Sequence, residues 1–150
     1  MRTYLVIVDE TEEAAKALRF AARRAAGTGG SVQLLALVPK QAFNAFGGVQ
    51  ATIEQEARDR AEVLANGAAG SVLADAGRMP QIGVRVGDGK TVVAEYLKDH
   101  PEVSALVLGA AAEGNPGPLV SHFSASPGSL PCPLIIVPGS MDQERLDSLS

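Results

Sequence analysis

The residues best able to do chemistry lie between Leu108 and Ser121, in the run LGAAAEGNPGPLVS. Glycines at positions 109, 114 and 117 would let backbone N–H groups close on an anion, because no Cβ stands in the way. A helix starting at Pro118, with proline at its first position, would add its positive end and the amides of Leu119, Val120 and Ser121. That is the chemistry of a phosphate cradle. Two features oppose it. Pro116 and Pro118 each remove a donor, and no Lys or Arg stands between Lys98 and Arg145. Cations for a polyphosphate would have to come from the distant Lys40, Arg85 or Lys90. The same loop reads equally as a tight strand-to-helix connection that binds nothing.

Asp9 is the second candidate, at the end of the first apolar run. Its plainer role is a helix cap: Asp9-x-x-Glu12 fits a capping box, and Glu10, Glu12 and Glu13 suit the positive helix end. The same acidic cluster would repel a polyphosphate, at ~1 kcal/mol per close pair in water. Ser121 and His122 are neighbours on a predicted helix and so do not face each other, and no orienting acid is near in sequence. His100, before Pro101, reads as a C-terminal cap. The two histidines and Cys132 show no metal-ligand spacing. Cys132, between prolines, reads as a buried small hydrophobe.

The elements that must position these residues are legible. Tyr4 to Val8, Ser31 to Val38 and Gln81 to Val86 read as strands, the last nearer a sheet edge because it alternates. Ala105 to Leu108 and Leu134 to Val137 are continuous apolar runs, read as fully buried parallel strands. Helical spacing predicts a helix from Asp9 to about Ala26 on Ala14, Leu18, Ala21, Ala22 and Ala25. A long one carries Ile53, Ala57, Ala61, Leu64, Ala68 and Val72 as its stripe, with a bend or early end possible at Gly67 and Gly70. Asp88 caps a helix from Lys90 to Asp99. Phe43 and Phe46 sit in a loop, placed to cover a pocket, meet a partner or pack on their own domain. Alternating strands and helices predict a doubly wound α/β domain, with ligands outside the carboxyl ends of its strands. That domain spans residues 1–138. A tail of 139–150 follows, where Ser140-x-x-Gln143 suits a short helix carrying Met141, Leu146 and Leu149.

Composition bounds the function. A net charge of -4 and pI near 5.1 leave no electrostatic footprint for nucleic acid, and 4% aromatics leave few stacking platforms. No apolar run approaches membrane-spanning length, and the chain enters a strand at once, so neither membrane nor secretory signal is expected. One cysteine excludes an internal disulfide and suits a reducing compartment. A cytoplasmic protein is the expectation.

The chain resembles the universal stress protein family over residues 1 to about 138. The resemblance rests on Asp9 ending the first strand, the Arg85-Val-Gly-Asp88 turn, the VLG that closes the fourth strand, and Pro131 to Val137 (PCPLIIV). The GNPGPLVS loop is similar to that of an alphaproteobacterial subgroup. The resemblance implies a five-stranded, mostly parallel sheet of order 3-2-1-4-5 with helices on both faces. It implies that Asp9 contacts the adenine and ribose of a nucleotide, and that Val38 lines the adenine slot. A site over Leu108, Gly109, Ala112, Gly114, Gly117, Val120 and Ser121 follows from the family's G-x-x-G and G-S motifs. Here Ala112 replaces the second glycine, Val120-Ser121 stands for Gly-Ser, and the loop is about two residues shorter. The implied function is regulatory, with a degenerate site that takes ATP or AMP weakly or not at all. A homodimer through Leu134, Ile135, Ile136 and Val137 is also implied. The alternative is a ligand-independent interaction module of the same fold; a hydrolase lacks a base, a nucleophile motif and metal ligands.

Overall fold

Short apolar strands and amphipathic helices do alternate in the computed structural model of the chain, which describes residues 1–40 and 47–150. The strands are β1 (Thr3–Val8), β2 (Ser31–Val38), β3 (Gln81–Val86), β4 (Ala105–Ala110) and β5 (Leu134–Pro138). They form one parallel sheet of order β3-β2-β1-β4-β5. Between and after them lie α1 (Glu12–Thr28), α2 (Gly47–Ala76), α3 (Gly89–Asp99), α4 (Pro118–Ala125) and α5 (Gln143–Leu149).

Period-two alternation sends successive side chains of β1 to opposite faces. Tyr4, Val6 and Val8 pack with Ala17, Ala21, Ala69, Val72 and Leu146, so α1, α2 and α5 cover that face. Leu5 and Ile7 pack with Val93, Tyr96, Leu97, Val120 and Phe123, so α3 and α4 cover the other. Each fully buried aliphatic side chain contributes about 1.5–3 kcal/mol relative to exposure. The buried residues of α1 are all alanine, which lets the helix approach the sheet closely.

Four details depart from the sequence patterns. The cap of α1 is Thr11, whose hydroxyl accepts from the Ala14 amide at 3.2 Å, and Asp9 lies outside the helix. Three polar residues in a row can each cap, and spacing alone does not choose among them. Second, α2 runs unbroken through Gly67 and Gly70, because Ala65, Ala68, Ala69 and Val72 are buried against the sheet and outweigh the helix penalty of glycine. Ile53, assigned to its stripe, is exposed. Third, β5 is an edge strand rather than a fully buried one: Val137 is buried, but Ile136 is 38% exposed. Fourth, the cap of α5 is Asp142, accepting from the Arg145 amide, rather than Ser140. Phe43 and Phe46 lie outside the described residues.

α5 is fastened to α1. The Arg19 guanidinium donates to both carboxylate oxygens of Asp147, at 2.7 and 2.8 Å. Arg23 donates to the Asp147 carbonyl, and Lys16 donates to the Gly139 carbonyl. Leu146 is buried beneath these contacts.

Candidate functional site

Because all five strands run parallel, Asp9, Pro39, Gly87 and Ala110 leave the sheet along one edge. This is the edge where such sheets bind ligands. Asp9 is exposed there. One of its oxygens accepts from the Thr11 amide at 2.8 Å and from the Thr11 hydroxyl, which in turn caps α1. Asp9 therefore orders the start of α1 from outside while keeping its carboxylate at the rim.

Three recesses meet at Asp9. The largest is about 590 Å³ and has a floor of Ile7, Val8, Leu37 and Leu119. Its rim carries Lys40, Asp88 and Lys90. Gly89 shapes that floor: a Cβ there would lie 3.2 Å from Leu37 Cδ1 and 3.4 Å from Leu119 Cδ2. A second recess, about 250 Å³, lies between the end of β2 and α2, lined by Val38, Ala57, Arg60 and Leu64. The third is about 150 Å³ and holds Glu13, Leu108, Gly109, Gly117 and Val120.

Of the residues singled out in the sequence, Asp9, Leu108, Gly109, Gly117 and Val120 come together around the smallest recess, and Val38 lines the second. Ala112, Gly114 and Ser121 are exposed and line none of the three. Gly109 owes its identity to packing, since a Cβ would lie 2.1 Å from the Glu13 carbonyl oxygen. Gly114 and Gly117 owe theirs to φ values of 72° and 122°.

α4 begins at Pro118, as the proline position predicts, with Gly117 as a cap that offers no side chain. The loop satisfies several of its own donors. Asn115 Oδ1 accepts from the Gly117 amide at 2.9 Å and from the Ser121 hydroxyl at 3.3 Å. The Ala111 amide donates to the Pro116 carbonyl. His122 stacks edge-on against Phe123. At the far end of α3, His100 Nδ1 lies 2.8 Å from the Tyr96 carbonyl, the expected helix-end role. Cys132 is half-buried, and burial pushes its thiol up. Among the described residues no cluster of His, Cys, Asp or Glu could hold a metal ion, and no helix is long and apolar enough to cross a membrane.

The residues that sequence reasoning underused are Lys40, Asp88, Gly89 and Lys90. The signal was present: Lys40 and Lys90 closely follow the ends of two strands that lie side by side in the order 3-2-1.

The model of the universal stress protein family matches residues 1–138. The chain belongs to that family. Solved universal stress proteins share its fold. That of UspA from Lactobacillus plantarum is 21% identical, with a TM-score of 0.77 over 91% of this chain and 97% of that one. A family member from Arabidopsis thaliana with AMP bound is 14% identical, with a TM-score of 0.64 over 96% and 94%. A universal stress protein in complex with cAMP is 13% identical, with a TM-score of 0.53 over 91% and 96%. None of the curated protein sequences matches the chain. At these identities the likeness establishes the fold.

Proposed function

We propose that this universal stress protein is a cytoplasmic regulatory protein that binds an adenine nucleotide, AMP or ATP, at the carboxyl edge of β1, β2 and β4. The observation that carries the reading is the roughly 590 Å³ cleft beside Asp9, with an apolar floor and a charged rim. Its size and makeup suit a flat, partly apolar small molecule with charged groups. The Arabidopsis relative with AMP bound and the relative in complex with cAMP support the ligand class. Asp9 meets the sugar and base, which lie on the cleft's apolar floor of Ile7, Val8, Leu37 and Leu119, while Val38 lines the adjoining recess against α2. The role is binding rather than turnover. The α/β domain of residues 1–138 acts with its tail, 139–150, held on α1.

Its working form is a homodimer joined through β5. That strand pairs with β4 along one side and ends the sheet, leaving its other edge and Ile136 to a second copy.

Titration calorimetry with AMP, ADP and ATP tests the ligand. Saturable binding of at least one at millimolar concentration or below is expected. No heat with any of the three, from a folded dimer, contradicts the reading. The ligand-independent module then stands, favoured by the loop donors that Asn115 already occupies.

A further inference from the structure

We propose that the anionic end of the bound nucleotide lies against Lys40 and Lys90 in the large cleft, and not on the glycine-rich loop. This rests on the nucleotide-binding reading above. The two lysines follow neighbouring strands: Val38 and Val86 are partners in the β2–β3 ladder, Lys40 stands two residues past β2, and Lys90 lies in the first turn of α3 after β3. Both line the same cleft.

The two carboxylates on that rim, Asp9 and Asp88, keep their charge but are each anchored by neutral donors at a helix start. Asp9 accepts from the amide and hydroxyl of Thr11. Asp88 accepts from the amide and hydroxyl of Thr91 at the start of α3. Among the described residues neither lysine belongs to an ion pair, whereas the ion pairs there are fall on Arg19 and Arg23. A phosphate in this cleft would meet two cations that no ion pair occupies, balanced by Asp9 and Asp88 on the same rim.

The loop side offers the reverse. Its recess is about 150 Å³ and its lining carries Asp9 and Glu13 with no cation. The Gly117 amide and the Ser121 hydroxyl already donate to Asn115, and Pro116 and Pro118 have no N–H. Asp9 lines both recesses, so the difference lies in Glu13, the lack of a cation, the two prolines and the two donors that Asn115 occupies, which together disfavour a phosphate there. The altered motif and the lysine pair thus have one explanation: charge recognition has moved from the β4–α4 loop to the ends of β2 and β3.

The test compares AMP with adenosine, which lacks the anion, for the wild type, K40A/K90A and the milder K40Q/K90Q, each checked for an unchanged unfolding curve without ligand. The wild type should bind AMP about tenfold more tightly than adenosine, a preference that falls as salt rises. Both double variants should bring the preference to within about threefold while adenosine affinity stays within about twofold. A preference that survives in both double variants overturns the proposal. So does a preference that Ser121→Ala abolishes while the lysine variants keep it, and so does equal affinity of the wild type for both compounds. If the wild type binds neither of these compounds nor ADP or ATP, the nucleotide reading itself falls, a result distinct from all of these.

Discussion

At Gly109 a Cβ would lie 2.1 Å from the Glu13 carbonyl oxygen and 2.9 Å from the Ala14 amide nitrogen. Those atoms belong to the first turn of a helix and cannot yield as a flexible side chain would. Gly109→Ala is therefore expected to cost about 1–3 kcal/mol through overpacking. For a chain of this length that lowers the melting temperature by several degrees. Calorimetric or circular-dichroism melting checks it, and an unchanged melting temperature would contradict the packing account. The residue type was legible in the sequence, but its reason was not. A glycine that admits a ligand and one that admits a helix look the same until a backbone nearly a hundred positions away is placed beside it. Asp9 was legible as a rim carboxylate and helix-start residue, yet its partner is Thr11 and not the predicted first-turn amide. Asn115 escaped notice because its effect lies in a local turn that sequence spacing does not display.

At the scale of elements, α5 makes the clearest case. Leu146 is 1% exposed, and Leu146→Ala should cost about 2–5 kcal/mol, seen as a large drop in melting temperature. The Arg19 hydrogen bonds hold the Asp147 carboxyl below its ordinary range. A lowered carboxyl pKa means the contact stabilises fully above the unfolded-state value and is lost as pH falls through the lower folded-state value. The difference in melting temperature between wild type and Asp147→Asn should thus be largest near neutral pH. It should close below about pH 3.9, the ordinary aspartate value. A difference independent of pH would exclude the ion pair as its cause. Strand and helix types were readable because apolar continuity and helical periodicity persist over whole elements. The edge position of β5 was not readable, since a four-residue apolar run looks alike in the middle of a sheet and at its rim. The continuity of α2 through two glycines was hidden for a similar reason: burial of its alanines against the sheet decides it, and that is a tertiary term.

For the whole molecule, the proposed dimer rests on the free edge of β5. Ile136→Lys places a charge on the exposed part of that edge, 38% accessible in the single chain, and should convert a dimer to a monomer in sedimentation velocity. A dimer that persists unchanged would locate the interface elsewhere. The strand order was expected from the family resemblance, and the sheet bears it out. The full charge pattern of the site was not foreseen, because Lys40 and Lys90 are fifty positions apart and meet only when β2 and β3 pair. The claim on which the functional account turns is that this edge holds a nucleotide beside Asp9. The most direct measurement is thermal unfolding of wild type and Asp9→Ala with and without millimolar AMP, ADP or ATP. Each protein serves as its own ligand-free reference, so the loss of the Thr11 contact is subtracted. At about a hundred times its dissociation constant the ligand adds ~2.7 kcal/mol, a rise of several degrees. A rise in the wild type that is absent in Asp9→Ala is the predicted result, and equal rises in both, or none in either, would contradict it.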